Sequence, residues 1–129
     1  MNRRFMHFPD AGVSLAVEDG NGKARVTLAL ANRDSGDNFG RPRARVLLNA
    51  RLDGDQNMLQ ALSAKQRVMV FPYEGTTSVN DILRPLADSL KEQLERRKKG
   101  RGNAGRIIRI FHAECKQRQI EARTSSITT

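Results

Sequence analysis

Alternation of apolar and polar residues near the start of the chain predicts a β-hairpin. Apolar side chains occupy every second position over residues 13–17, and the same alternation resumes over residues 26–30. A period of two is typical of strands that bury one face. The intervening Asp-Gly-Asn-Gly sequence at 19–22 is a turn signal, because Gly and Asn accept positive φ angles. The pattern therefore predicts a hairpin over residues 12–31, made of two half-buried strands.

Residues 41–52 fit two secondary structures. Apolar residues at every second position from Ala44 to Leu52 favour a strand. Leu47, Leu48 and Leu52, together with Ala44, also have the spacing of an amphipathic helix. Pro42 suits the first turn of that helix, where its missing N–H is not needed. Periodicity alone favours the strand.

The centre of the chain predicts a short helix followed by a strand. Met58, Leu59 and Leu62 have helical spacing and predict a helix over residues 56–65. The apolar run at residues 67–73 is short and contains Pro72 near its end, which predicts a largely buried strand that stops there.

A long amphipathic helix is predicted over residues 79–99. Its apolar stripe consists of Val79, Ile82, Leu83, Leu86, Leu90 and Leu94. Ser78 and Asp81 have the spacing of a helix start. Pro85 lacks a backbone donor and is expected to kink or restart the helix. Gly100 is a natural stop after the four cations at 96–99, whose charges complement the helix dipole.

The segment after this helix predicts a loop and a last strand. Residues 100–105 form a glycine-rich basic loop. Ile108 and Ile110 alternate with Arg109 and Phe111, which predicts a strand over residues 106–114.

The elements together predict one compact domain of the α+β class over residues 1–123. A small, mainly antiparallel sheet containing the hairpin would be packed by two or three helices, the one near 79–99 and that at 41–52 among them. Residues 116–123 are polar and suggest a frayed helix. The Ser/Thr-rich residues 124–129 are expected to form a mobile tail.

The charge of the chain is concentrated at its C-terminal end. The 129 residues include 23 Lys and Arg against 14 Asp and Glu, a formal net charge of +9. Residues 1–90 carry 12 basic and 10 acidic side chains, whereas residues 91–129 carry 11 and 4. This asymmetry indicates a polyanionic partner, because a charge excess that only improves solubility need not cluster. Aromatic residues make up 5% and Trp is absent, so binding would depend on charge rather than on base stacking.

Residues 39–52 resemble a pattern found in small proteins of phages and other mobile elements. In those proteins a hairpin leads through an Asp-containing loop into Phe-x-Arg-x-x-small-Arg-x-aliphatic-x-x-small-Arg-Leu. The matching positions here are Phe39, Arg41, Ala44, Arg45, Leu47, Ala50, Arg51 and Leu52. The resemblance implies no known activity. It favours the helix for residues 41–52, because such segments look like amphipathic helices packed on the hairpin.

A run of cations at the end of the long helix is the strongest candidate for a functional site. It consists of Arg96, Arg97, Lys98, Lys99 and Arg101, followed by Arg106 and Arg109. Close cations suit phosphates, because each neutralised phosphate releases condensed counterions, and the glycines of residues 100–105 let the backbone approach a sugar-phosphate chain. The alternative is a solvated helix end without a ligand, although four consecutive cations repel one another and favour a counter-anion. The run predicts phosphate contacts, not readout of base sequence.

Arg41, Arg43 and Arg45 form a second candidate set, close to Arg51. In a helix Arg41 and Arg45 share one flank and Arg43 lies on the other, whereas in a strand Arg43, Arg45 and Arg51 share a face. Either arrangement could extend a track of phosphate contacts. The alternative is structural, with Arg51 and one other arginine paired to aspartates of adjacent loops. Those aspartates are Asp34, Asp37 and Asp53.

No constellation of residues in the sequence indicates an enzyme, a metal site or a cofactor. His112 and Cys115 are three residues apart, at most half a zinc site, and on a strand they would lie on opposite faces. The aspartates fall in separate turns, where Asp is ordinary. The glycines of residues 100–105 follow a helix and precede a predicted strand, the reverse of a dinucleotide site. We therefore expect a protein that is not an enzyme and that needs no cofactor or metal.

The sequence therefore predicts a nucleic-acid-binding accessory or regulatory protein of a phage or plasmid. The alternative is an effector whose basic surface binds and inhibits a host nucleic-acid machine, such as a defence complex or a polymerase. The partner would be DNA or RNA in the first case and an acidic or nucleic-acid-binding protein surface in the second, and both allow a homo-oligomer. The chain opens without a signal-peptide pattern and has no apolar run of membrane-spanning length. We expect a cytoplasmic location and no membrane partner.

Overall fold

A computed structural model of the chain describes residues 2–20, 22–31, 40–73, 80–101 and 103–128, with the side chains of 2, 41, 80 and 120–128 left out. The strands are β1 (Asn2–Phe8), β2 (Val13–Gly20), β3 (Lys23–Leu30) and β4 (Met69–Pro72). The helices are α1 (Arg41–Asp53), α2 (Gln56–Ala61), α3 (Asn80–Lys98) and α4 (Ala104–Thr128), and a 3₁₀ helix spans Pro9–Ala11.

The strands form one antiparallel sheet in the order β1-β2-β3-β4. The predicted α+β class is confirmed, and so is the hairpin, in which β2 and β3 pair from Val13 opposite Leu30 to Gly20 opposite Lys23. β1 was not predicted from the sequence. Arg3 and Arg4 stand at its start and give it little alternation of its own, so the strand depends on its pairing with β2.

Helices cover both faces of the sheet. On one face α3 and α4 pack on the side chains that include Leu15 and Leu28. On the other face Leu48 and Leu52 of α1 pack against Ala16 and Ala29. β2 is consequently buried on both faces from Val13 to Glu18, and the prediction of a half-buried strand was wrong there. The small and polar residues on the second face of β2 are typical of a face exposed to solvent, but in the structure α1 covers that face.

Residues 41–53 are a helix, which confirms the structure favoured by the resemblance. Pro42 lies in the first turn, where no backbone donor is missing. Gly54 ends the helix with φ 66°, a left-handed conformation that suits glycine. The predicted helix at 56–65 is also confirmed, although it is shorter, and the Asp55 side chain caps it by accepting the backbone N–H of Met58 at 3.1 Å.

The predicted buried strand at 67–73 is present as β4, but it is shorter and lies at an edge of the sheet. Phe71 is buried, whereas Val70 is 45% exposed. An edge strand pairs on one side only, so part of this apolar run faces solvent.

The predicted helix at 79–99 is confirmed as α3. Ile82, Leu83, Leu86, Leu90 and Leu94 form its buried stripe, and the helix continues through Pro85. Residues 78 and 79 lie outside the described residues. At the other end Gly100 has φ 73°, and the N–H of Arg101 bonds to the carbonyl of Arg96 at 2.8 Å. The predicted stop at Gly100 is therefore confirmed.

The predicted strand at 106–114 is wrong, because these residues belong to α4. Ile107, Phe111 and Cys115 recur every fourth residue and are buried against the sheet. The alternation of Ile108 and Ile110 competes with this spacing but covers fewer residues. α4 continues to Thr128, so its backbone takes in the segments predicted as a frayed helix and a tail.

Candidate nucleic-acid interface

Arg97 does not belong to the exposed set that the sequence predicted. Its side chain is buried, with the residue 8% exposed. The guanidinium donates from Nε to the carbonyl of Ala11 at 2.7 Å and from Nη2 to the carbonyl of Ala31 at 2.9 Å. Arg97 thus joins the end of α3 to the 3₁₀ helix and to the end of β3, and its charge faces the interior rather than a phosphate.

Arg96 and Lys98 are exposed but carry partners on their own helix. Arg96 pairs with Glu92 at 3.0 Å, and Lys98 pairs with Glu95 at 3.1 Å. Such exposed pairs contribute little to stability, about 0–1 kcal/mol, and exchange readily. The two residues therefore add less positive potential than the sequence alone implies.

Lys99 and Arg101 lie directly after this paired turn and are exposed. Together with Arg96 they border a depression of about 450 Å³, which Glu92 and Glu95 also line. Among the described residues neither Lys99 nor Arg101 forms an ion pair. These two cations remain available to an external anion.

α4 presents a stripe of cations to solvent. The helix begins directly after Asn103, whose side-chain oxygen accepts the N–H of Gly105 at 2.8 Å. At about 100° per residue, Arg106, Arg109 and Lys116 fall within roughly 80° of one another, opposite the buried stripe of α4. All three are exposed, and none forms an ion pair among the described residues. We call these three residues the α4 basic stripe.

Lys116 was missed by the sequence interpretation, because a strand that stops at 114 excludes it. Its signal is the spacing of seven residues from Arg109, two turns of a helix. Glu114, the acid of α4 whose side chain is described, lies on the flank of the helix and pairs with Arg118 at 3.4 Å. The α4 basic stripe thus carries three positive charges without a described carboxylate among them.

The second predicted set does not form one surface. Arg43 and Arg45 are two residues apart on α1, so they point to different flanks. Arg43 lines a cavity beneath the helix, whereas the guanidinium of Arg45 stands 5.1 Å above the ring of Phe5 in β1. The side chain of Arg41 lies outside the described residues. α1 therefore presents no continuous track that joins these arginines.

The structural alternative is confirmed for Arg51, but its partners are backbone carbonyls and not the aspartates. It is 7% exposed, and its Nε donates to the carbonyl of Lys65 at 2.9 Å while Nη1 donates to the carbonyl of Leu28. Burial and the charge of Arg67 lower its pKa to about 10. Asp53 instead accepts from Arg3 at 2.8 Å, and Asp34 and Asp37 lie outside the described residues.

The structure brings together two pairs of potentially reactive side chains, and one member of each pair is buried. His112 and Cys115 lie one turn apart on α4 rather than on opposite faces of a strand, yet Cys115 is 1% exposed. His7 and Ser14 meet at 2.8 Å across β1 and β2, a pair that no sequence spacing indicates, and Ser14 is fully buried. In the described part of the chain, no three His, Cys, Asp or Glu side chains are grouped to hold a metal.

We expect the Cys115 thiol to react slowly in the folded protein. Burial raises its pKa to about 12 from 9.0, which leaves roughly a thousandfold less thiolate than an ordinary cysteine at the same pH. Ellman's reagent at pH 8 should therefore label the folded chain at least a hundredfold more slowly than the chain in urea. Equal rates in both conditions would show that the thiol is accessible in the fold.

No family model, curated protein or solved structure matches the chain. The resemblance of residues 39–52 to mobile-element proteins stays a prediction. Within the described ranges, no helix is both long and apolar enough to cross a membrane.

Proposed function

We propose that this protein binds nucleic acid through its phosphates, with little preference for base sequence, in an accessory or regulatory role. The contacts come from the α4 basic stripe, preceded in the chain by Lys99 and Arg101. One observation carries the proposal: three exposed cations share the solvent side of a firmly packed helix, with no described carboxylate among them.

The dimensions of the α4 basic stripe suit a phosphate backbone. Arg106 and Lys116 are ten residues apart, about 15 Å along the helix axis. That length corresponds to roughly four steps of one DNA strand at 3.4 Å per step. Burial of Ile107, Phe111 and Cys115 on the opposite side holds the helix in place, so the cations are positioned before the ligand arrives.

Contacts of this kind give affinity without readout of sequence. Sequence is read through base edges in a groove or by stacking on exposed aromatic rings. The described aromatic side chains are buried or half-buried, which leaves stacking poorly supplied. Positive charge then accounts for the binding, and its strength should depend steeply on salt.

We expect the triple change of Arg106, Arg109 and Lys116 to Ala to weaken binding and to flatten its salt dependence. Each lost phosphate contact reduces the slope of log K against log salt by about 0.9 for duplex DNA and about 0.7 for single strands. The triple variant should therefore lower the slope by about two to three. Fluorescence anisotropy with labelled duplex DNA, single-stranded DNA and RNA across a salt series measures both affinity and slope.

The matched control removes three exposed cations elsewhere, with Arg4, Lys23 and Arg84 changed to Ala. It alters the net charge equally, so the same loss in both variants would mean that total charge, not the α4 basic stripe, drives binding. Weak binding to all three polymers that vanishes near physiological salt would contradict the proposal. The basic surface would then fit the alternative, an effector bound to a protein partner, which a co-purification experiment tests.

A further inference from the structure

A cavity of about 530 Å³ lies beneath α1, and no part of the nucleic-acid proposal uses it. Its walls come from the end of β3, from α1 and from residues 62–67, which lead towards β4. α1 covers the face of the sheet opposite to α3 and α4. The volume falls within the range of small-molecule sites, roughly 300–1,000 Å³.

The charged residues that line the cavity in the described part of the chain are all cations. They are Arg43, Arg51, Lys65 and Arg67. The side chains of Lys65 and Arg67 form no ion pair or hydrogen bond with any described residue. The described charge around this half-open cavity is therefore entirely positive, an arrangement that favours an anion.

Arg51 is a fixed donor at this site. The carbonyls of Lys65 and Leu28 hold its Nε and Nη1, and the described residues supply no hydrogen bond to Nη2. Burial and the charge of Arg67 lower the pKa of Arg51, and Arg67 lines the same cavity. A guanidinium that is already immobilised loses little rotamer freedom when it binds a ligand.

The remaining lining of the cavity is apolar or small. Leu30, Leu47 and Leu62 provide the apolar area. Ser63 also lines the cavity, and its φ of 52° is the left-handed conformation that follows the end of α2, where the N–H of Ala64 bonds to the carbonyl of Leu59 at 2.9 Å.

We propose that this cavity binds a small phosphomonoester, with the phosphate against Arg51, Lys65 and Arg67 and the organic part against the leucines. A phosphomonoester carries a charge of about −1.5 to −2 at pH 7, which several cations match better than they match a single carboxylate. Guanidinium groups also bind phosphate through two parallel hydrogen bonds. The site does not depend on the α4 basic stripe, so either proposal can fail alone.

The first test is titration of the ¹⁵N-labelled full chain with adenosine 5′-monophosphate, followed by heteronuclear NMR. We expect saturable amide shifts confined to residues 28–31, 43–51 and 62–67. Adenosine, which lacks the phosphate, should bind at least about tenfold more weakly, because the charge-assisted hydrogen bonds are lost. The absence of a saturable shift with the monophosphate would overturn the proposal. A result in which inorganic phosphate binds and the monophosphate does not would also overturn it.

The second test is the double variant Lys65→Gln with Arg67→Gln. Neither side chain bonds to a described residue, so the fold should persist, as circular dichroism would check. Affinity for the monophosphate should fall by about tenfold or more. The matched control, Lys23→Gln with Arg84→Gln, removes the same charge from exposed positions outside the cavity lining and should leave affinity unchanged. An unchanged affinity in the cavity variant, or an equal loss in both variants, would contradict the proposal.

A competition experiment separates two sources of the same phosphate chemistry. An oligonucleotide with a 5′-phosphate and its 5′-hydroxyl counterpart are added to the complex with the monophosphate. If only the phosphorylated oligonucleotide displaces the monophosphate, the cavity binds the 5′-phosphate end of a nucleic acid. If neither oligonucleotide displaces it, the cavity binds a free small molecule. Equal displacement by both would overturn a phosphomonoester site.

Discussion

Replacing Phe111 by alanine is expected to lower the free energy of unfolding by about 3–5 kcal/mol. Phe111 is fully buried and joins α4 to the core formed by α3 and the sheet. Removing the ring deletes its transfer free energy and leaves a cavity that rigid neighbours fill only in part. Urea denaturation followed by circular dichroism measures the change.

Ile110→Ala is the matched control, because it distinguishes the helix from the strand that the sequence predicted. On a strand that buries Ile108 and Ile110, Phe111 would face solvent and its loss would cost little. In α4 Ile110 is only partly buried, so its truncation should cost clearly less than that of Phe111. A larger loss for Ile110→Ala than for Phe111→Ala would contradict α4 as described.

Arg97→Ala is expected to lower the free energy of unfolding by about 2–4 kcal/mol. The change leaves the carbonyls of Ala11 and Ala31 without the donor that satisfies them, and it removes the packing of a buried side chain. The effect should persist at high salt, since it arises from hydrogen bonds in the interior rather than from surface charge. Urea titrations at low and high salt measure both features.

Lys98→Ala, the next position on α3, is the matched control. Its exposed pair with Glu95 predicts a change within about 0.5 kcal/mol. A loss as small for Arg97→Ala would show that the interior hydrogen bonds are not required. Binding studies should also leave Arg97 intact, because its replacement would unfold part of the population and imitate a loss of nucleic-acid contacts.

The sequence predicted elements correctly where one local signal dominated. The hairpin follows from alternation on both sides of a Gly-rich turn, and α3 follows from a long apolar stripe that ends at Gly100. α4 was missed because Ile108 and Ile110 supply a second period that competes with the spacing of Ile107, Phe111 and Cys115. β1 was missed because its pairing with β2, rather than its own pattern, makes it a strand.

The candidate site shows the same division. Composition determined that the C-terminal part of this chain is basic, and helical spacing, once α4 is known, brings Arg106, Arg109 and Lys116 to one side. In the sequence, the four cations at 96–99 are equivalent. In the structure, Arg96 and Lys98 form ion pairs, Arg97 is buried, and Lys99 is exposed without a described ion pair.

By itself, the sequence determined the hairpin, the long helix, the turns and the uneven charge, because each depends on neighbours within a few residues along the chain. Only the tertiary structure decided which cations are free to meet a ligand. The Arg51 guanidinium is held by the carbonyls of Leu28 and Lys65, and the Arg97 guanidinium is held by the carbonyls of Ala11 and Ala31, all distant in sequence. Burial and partner choice arise from contacts between such distant segments, which no local pattern encodes.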